Sequence, residues 1–233
     1  MNKKALTVVI IYFISGIAEL FFFYGKIRPG LWISQGLLMP LLCAYYLLHA
    51  SPWKTYGNKW VILALAASFF GDITLVLSPE KPVMMIPGLI GFLFTQIIYI
   101  KIFYIVPYRK WIQGRSLLVV LLFITYGILV YAMLFRSLNS LRLPVLIYTA
   151  TLIAMLITAY GRKGKVNRAS FILVLSGAAL FVLSDSFIAM TLFVKRFWFS
   201  ELLIGIPYFT AQYLIIRGLV SEKRDFNKNE IYI

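Results

Sequence analysis

The sequence predicts an all-α membrane protein, a polytopic bundle of eight transmembrane helices. Three observations predict it. Of the 233 residues 61% are hydrophobic and only 13% are charged, about half the roughly 25% usual in soluble domains, and the mean hydropathy is +0.87. The apolar residues fall into eight runs, each close to the about 20 residues that a spanning helix needs. Between these runs stand short bursts of Lys and Arg.

The first run, 5–24, follows Lys3 and Lys4 and continues through Phe21, Phe22 and Phe23. Gly16 and Ala18 offer small residues ahead of a cut at Glu19, but an apolar stretch that runs on past the cut reads as an uncleaved helix. The second run, 31–49, ends at His49 before Ser51 and Pro52, and the third, 59–77, ends before Ser78 and Pro79. The fourth, 84–106, lies between Pro82 and Pro107, and the fifth, 116–135, between Arg115 and Arg136. The sixth, 143–160, is the shortest; 169–194 and 199–220 complete the set, followed by a polar tail, 221–233. The runs leave no room for a soluble domain, so the whole chain, 1–233, reads as one integral membrane unit.

The net charge of +15 comes from 23 Lys and Arg against eight Asp and Glu. Nucleic-acid binding would need the cations clustered on a water-facing module, and here they are spread over short loops. Counted by loop, sixteen of the 23 fall on the side of the N-terminus and seven on the other, which by the positive-inside rule predicts both termini in the cytoplasm, most simply at a bacterial inner membrane. Trp32, Trp53, Trp60, Trp111 and Trp198 stand at run ends, as interfacial belts do. Cys43 is the sole cysteine and His49 the sole histidine, so neither a disulfide within the chain nor a His or Cys metal cluster is expected. No phosphate-binding glycine loop, nucleophile elbow or zincin motif is present.

The third and fourth runs are echoed by the seventh and eighth. Ala66-Ala67-Ser68-Phe69-Phe70-Gly71-Asp72 parallels Gly177-Ala178-Ala179-Leu180-Phe181-Val182-Leu183-Ser184-Asp185. Phe94-Thr95-Gln96 with Tyr99 parallels Phe209-Thr210-Ala211-Gln212 with Tyr213. Runs four apart cross in the same direction, so the echo points to a parallel repeat of two four-helix halves; chance similarity in so apolar a chain is the alternative.

A carboxylate in hydrocarbon costs a few kcal/mol or more, so an acid inside an apolar run marks a cavity or a partner. Three of the eight acids qualify: Glu19, Asp72 and Asp185, all toward the same predicted side of the membrane, where they could line one cavity. For Asp72 the plain alternative is a helix end that meets water beside Ser78 and Pro79; Asp185 has apolar sequence on both sides. Glu201, at the start of the last run, reads as interfacial. Gln96 and Gln212 lie mid-helix, where an amide must bond to another helix or line a cavity. The small residues around the acids are the ordinary packing signal of membrane helices.

These residues resemble the YhhN-like integral membrane family, whose animal members are lysoplasmalogenases. The resemblance is carried by Ala67-Ser68-Phe69-Phe70-Gly71-Asp72-Ile73-Thr74-Leu75, by 92–99, by Gly177 to Ser186 and by Tyr208-Phe209-Thr210-Ala211-Gln212-Tyr213-Leu214-Ile215-Ile216-Arg217. It implies eight spans and hydrolysis of the vinyl ether of a lysophospholipid, releasing a fatty aldehyde and a glycerophospho-alcohol, with membrane lipids as surroundings and without metal or cofactor. That reaction begins by protonation of an alkene carbon, passes through an oxocarbenium ion, adds water and collapses. It calls for a general acid and a second carboxylate, and burial among apolar side chains favours the neutral form of a carboxyl group.

On this reading Asp72 and Asp185 are the catalytic pair, and Glu19, Gln96, Tyr99, Ser184, Tyr208 and Gln212 bind substrate or support the pair. Two departures bear on it: family members often carry Lys-Pro entering the second helix, where this chain has Gln35-Gly36 ahead of Pro40, and many have His where Gln96 stands. If that lysine or histidine handles the headgroup or a proton, specificity or activity is altered here. A small proton- or cation-coupled transporter or lipid-handling protein is the alternative function, with the acids carrying the cation; an assembly protein would leave the intramembrane polar residues without a role. The oligomeric state is not legible.

Overall fold

The computed structural model describes residues 3–49, 55–79, 81–104, 115–195 and 197–222. Trp53, Glu80, Trp111 and the tail from residue 223 lie outside them. The described chain is eight long helices: α1 (Lys3–Tyr24), α2 (Arg28–His49), α3 (Thr55–Leu77), α4 (Met85–Phe103), α5 (Arg115–Leu134), α6 (Arg142–Tyr160), α7 (Arg168–Phe193) and α8 (Ser200–Val220). Short 3-10 turns, Pro82–Met84 and Asn139–Leu141, lead into α4 and α6. All eight are long and apolar enough to cross a membrane, as the runs predict, and their ends fall within four residues of the expected ones. In hydrocarbon a helix satisfies its own backbone polar groups, and side chains such as Ile17, Phe21, Leu118 and Leu122 are exposed on the outside, where lipid would cover them. The chain is an integral membrane protein.

Within 3–104 and 115–222 sequential helices pack as neighbours, most extensively α7 on α8, α3 on α4 and α1 on α2. Across the two halves α4 packs on α6 and α2 on α8, the corresponding pairs if the chain is divided after α4. The correspondence stops at the first helix of each half: α1 packs on α2 and α8, whereas α5 packs on α6 and α7. Of the spans, α8 is the most buried and α5 the least.

Glycine permits the closest approaches. A Cβ on Gly91 of α4 would stand 2.9 Å from the backbone nitrogen of Gly71 and 3.0 Å from the Ala67 carbonyl oxygen on α3. One on Gly177 of α7 would stand 2.8 Å from the Ala211 carbonyl oxygen and 2.9 Å from the Ile215 nitrogen on α8. Membrane helices associate through such packing rather than through a hydrophobic drive, so these contacts hold the two hairpins closed. Gly177→Val is expected to lower stability by about 2 kcal/mol or more, read as a drop in the thermal unfolding midpoint in mild detergent. Gly36→Ala, whose Cβ would meet only the Ile73 Cδ1 at 3.7 Å, is expected to leave the midpoint nearly unchanged.

Candidate functional site

Asp185 sits in the second half of α7, 4% exposed. Its Oδ2 accepts two hydrogen bonds, from the Tyr148 hydroxyl of α6 at 2.6 Å and from the Gln96 Nε2 of α4 at 3.0 Å. Its Oδ1 is buried without a hydrogen-bond partner among the described residues. The carboxyl lines a cavity of about 420 Å³ enclosed by α4, α5, α6 and α7, whose walls are otherwise almost wholly apolar, with Leu89, Leu93, Val130, Leu152 and Val182 among them. The Tyr126 hydroxyl donates to Ser186 Oγ at 2.9 Å, and Ser186 Oγ donates to the Val182 carbonyl at 2.8 Å, which ties α5 to this wall.

Asp72, near the end of α3, is 1% exposed, and neither of its carboxyl oxygens has a hydrogen bond among the described residues. The Tyr208 side chain of α8 and the Gln35 side chain of α2 face it, beyond ordinary hydrogen-bond geometry. It lines a second, more polar cavity of about 180 Å³, shared with Glu19, Gln35, Arg28 and Glu201. Here the placement of the acids differs from a single shared cavity: Glu19 and Asp72 come together, joined by Glu201, while Asp185 faces the neighbouring apolar space. Ile188 and Leu192, one and two turns beyond Asp185, line both cavities, so α7 is the partition. Across this seam α4 and α7 meet through Gln96 on Asp185 and through the rings of Phe92 and Phe181, 6.2 Å apart.

Each acid is on the third helix of its half and is faced by one group from the second helix of that half and one from the fourth helix of the other. At Asp185 these are Tyr148 and Gln96; at Asp72 they are Gln35 and Tyr208. The tyrosine and the amide have exchanged places.

The remaining expected residues form the support beneath. Tyr99 donates from its hydroxyl to Gln212 Oε1 at 2.7 Å; Gln212 Nε2 donates to Ser68 Oγ at 2.9 Å and lies 3.5 Å from the Tyr208 hydroxyl. The Ser68 hydroxyl donates to Thr95 Oγ1 at 3.1 Å, and the Thr95 hydroxyl donates to the Ala64 and Gly91 carbonyls. Gln212 thus joins α3, α4 and α8 and reaches Asp72 only through Tyr208. Ser184 is turned away from Asp185, donating to the Ile204 carbonyl at 2.9 Å, which makes it an α7–α8 tie.

Tyr148, Gln35 and Glu201 are the members that sequence reasoning does not place in the site. Gln35 carried a usable signal, since it is an amide inside an apolar run as Gln96 and Gln212 are. Tyr148 carried none, being one of 15 tyrosines. Among the described residues no group of His, Cys, Asp and Glu is placed to hold a metal ion.

No curated protein and no solved structure matches the chain. The YhhN family model matches residues 30–219, a stretch that contains Asp72 and Asp185, both mid-helix glutamines and every residue of the apolar cavity. With eight apolar helices and that match over most of its length, the chain belongs to the YhhN family.

Proposed function

We propose that the protein is a membrane-embedded hydrolase that cleaves the vinyl ether bond of a lysoplasmalogen-type lysophospholipid. The observation that carries this is the unpartnered Oδ1 of Asp185 on the wall of an apolar cavity of about 420 Å³, within the roughly 300–1,000 Å³ typical of ligand pockets. Family membership supports the same reading.

Two donors occupy Oδ2, so a proton on the carboxyl group rests on Oδ1. A carboxyl group surrounded by hydrocarbon costs far less neutral than charged, which suits a general acid. Oδ1 gives its proton to the alkene carbon remote from the ether oxygen, and the adjacent carbon becomes an oxocarbenium ion. Water adds to that carbon and loses a proton to Asp72, the second carboxylate, on the polar side of the seam. The hemiacetal then collapses: its hydroxyl gives its proton to Asp185 and Asp72 returns its proton to the leaving glyceryl oxygen, which yields a fatty aldehyde and a glycerophospho-alcohol and restores both carboxyl groups. The loop charges favour both termini in the cytoplasm.

Purified protein in detergent is expected to consume the vinyl ether of a lysoplasmalogen and to release aldehyde; complete inactivity would overturn the reading. Tyr148→Phe leaves the carboxyl group in place but removes its shortest hydrogen bond, and is expected to lower kcat about tenfold with KM little changed, by steady-state aldehyde release.

A second reading, cation-coupled transport, is favoured by the three acids around the smaller cavity. Proton-coupled uptake in sealed proteoliposomes, with no ether hydrolysis, would decide for it.

A further inference from the structure

Gln96 of α4 is wholly buried, and its amide meets the Asp185 carboxyl group through one bond, Nε2 to Oδ2 at 3.0 Å. The other donor on Oδ2 is the Tyr148 hydroxyl at 2.6 Å. The remaining atom of each group, Oε1 of Gln96 and Oδ1 of Asp185, is shielded from solvent and has no hydrogen-bond partner among the described residues. With Asp185 ionised, both atoms are acceptors, and two buried acceptors lack a donor. Asp185 is the sole acid on the wall of the apolar cavity, which carries no basic residue, and its other titratable groups are the hydroxyls of Tyr126 and Tyr148. No cation of that wall offsets a negative charge on Asp185, and an uncompensated buried charge is costly.

A proton on Oδ1 removes the mismatch. A carboxamide presents a donor and an acceptor side by side, the complement of a neutral carboxyl group. We propose that Gln96 and Asp185 form a two-bond acid–amide pair, in which Nε2 donates to Oδ2 and the Oδ1 hydroxyl donates to Oε1, and that Gln96 is the residue that positions the acid's proton. Tyr148 is already spent on Oδ2, so the pair gives Gln96 a role that the tyrosine does not share. An alkene carbon that enters the cavity competes with Oε1 for the proton. Once the proton has left, Nε2 and the Tyr148 hydroxyl still donate to Oδ2 and stabilise the carboxylate. That the proton goes to a vinyl ether rests on the hydrolase reading; the pair itself does not.

Infrared spectroscopy on the whole protein in neutral maltoside micelles tests the pair. The carbonyl stretch of a protonated carboxyl group stands apart from that of a carboxylate, and the wild-type spectrum minus that of Asp185→Asn isolates the band of this residue. The amide of Asp185→Asn donates to Oε1 as the acid's hydroxyl does, so this variant keeps both bonds and is expected to fold. The band is expected in the wild-type protein at neutral pH. Gln96→Met, similar in size but without the amide, is expected to move it to higher frequency and to lower kcat for aldehyde release about tenfold with KM little changed. Gln96→Asn, which shortens the side chain, is expected to move the band in the same direction and takes its place if Gln96→Met does not fold. Absence of the Asp185 band at neutral pH would overturn the proposal without any Gln96 variant, and so would a band that the folded variant leaves where it is. A band that responds to Gln96 in a protein that releases no aldehyde overturns the hydrolase reading alone. Aldehyde release without such a band overturns this proposal alone.

Discussion

Asp185→Asn is expected to reduce aldehyde release from a lysoplasmalogen by about a thousandfold, within the 10²–10⁴ that a positioned general acid contributes. Asparagine has the size of aspartate, and its carbonyl oxygen can still accept from Tyr148 and Gln96, the two bonds that now hold Oδ2 at 2.6 and 3.0 Å. What it lacks is an acidic proton for the alkene carbon. The loss should therefore fall on kcat, with little change in KM or in the thermal unfolding midpoint. Asp72→Asn is expected to lower kcat by about a hundredfold, because water can still attack a fully formed oxocarbenium ion, but without a base to take its proton. Wild-type aldehyde release by either folded variant would remove that residue from the proposed pair, and wild-type release by both would remove the mechanism.

The eight helices were legible because a spanning segment must be long and continuously apolar, and nothing in a loop imitates that. The acids were legible for the reason that makes them rare: an unneeded carboxyl group in hydrocarbon is costly. Which acid shares a cavity with which was not legible. A helix that is apolar all round has no polar face to fix its rotation, so the sequence places Glu19, Asp72 and Asp185 at one level of the membrane and leaves their directions open. Packing decides those directions, and it turns Asp72 toward Glu19 and Asp185 toward Tyr148. Ser184 shows the same limit, because adjacency to Asp185 along a helix means a turn of about 100° away from it. Glu201 reads as interfacial from its place at a run end, and only the fold brings α8 beside α1 and α3 at that point.

The loops hide one more feature, and its removal carries the largest expected effect on stability. Arg162 follows α6 and reads in the sequence as one of several loop cations, yet it is wholly buried. Its Nη2 donates to Ser170 Oγ at 2.8 Å and to Glu222 Oε2 at 3.1 Å, and its guanidinium lies over Phe103 with 5.7 Å from Cζ to the ring centroid. Ser170 in turn donates to the Gly218 carbonyl at 2.7 Å, so the pair joins the ends of α4, α6 and α8 to the start of α7. Removing one partner of a buried ion pair strands the other charge and costs about 3–5 kcal/mol, whereas replacing both with apolar residues is often nearly neutral. Arg162→Leu and Glu222→Leu are therefore each expected to lower unfolding free energy by about that amount, and the double variant by much less than their sum. A double-mutant cycle from denaturant titrations in detergent measures the coupling. Additive losses would show that Arg162 and Glu222 do not couple and that Arg162 is held by Phe103 and Ser170 instead. A strong coupling would make the first residue beyond the α8 cap part of the folded core, and deletion of the chain from Glu222 onward should then destabilise it as much as Glu222→Leu.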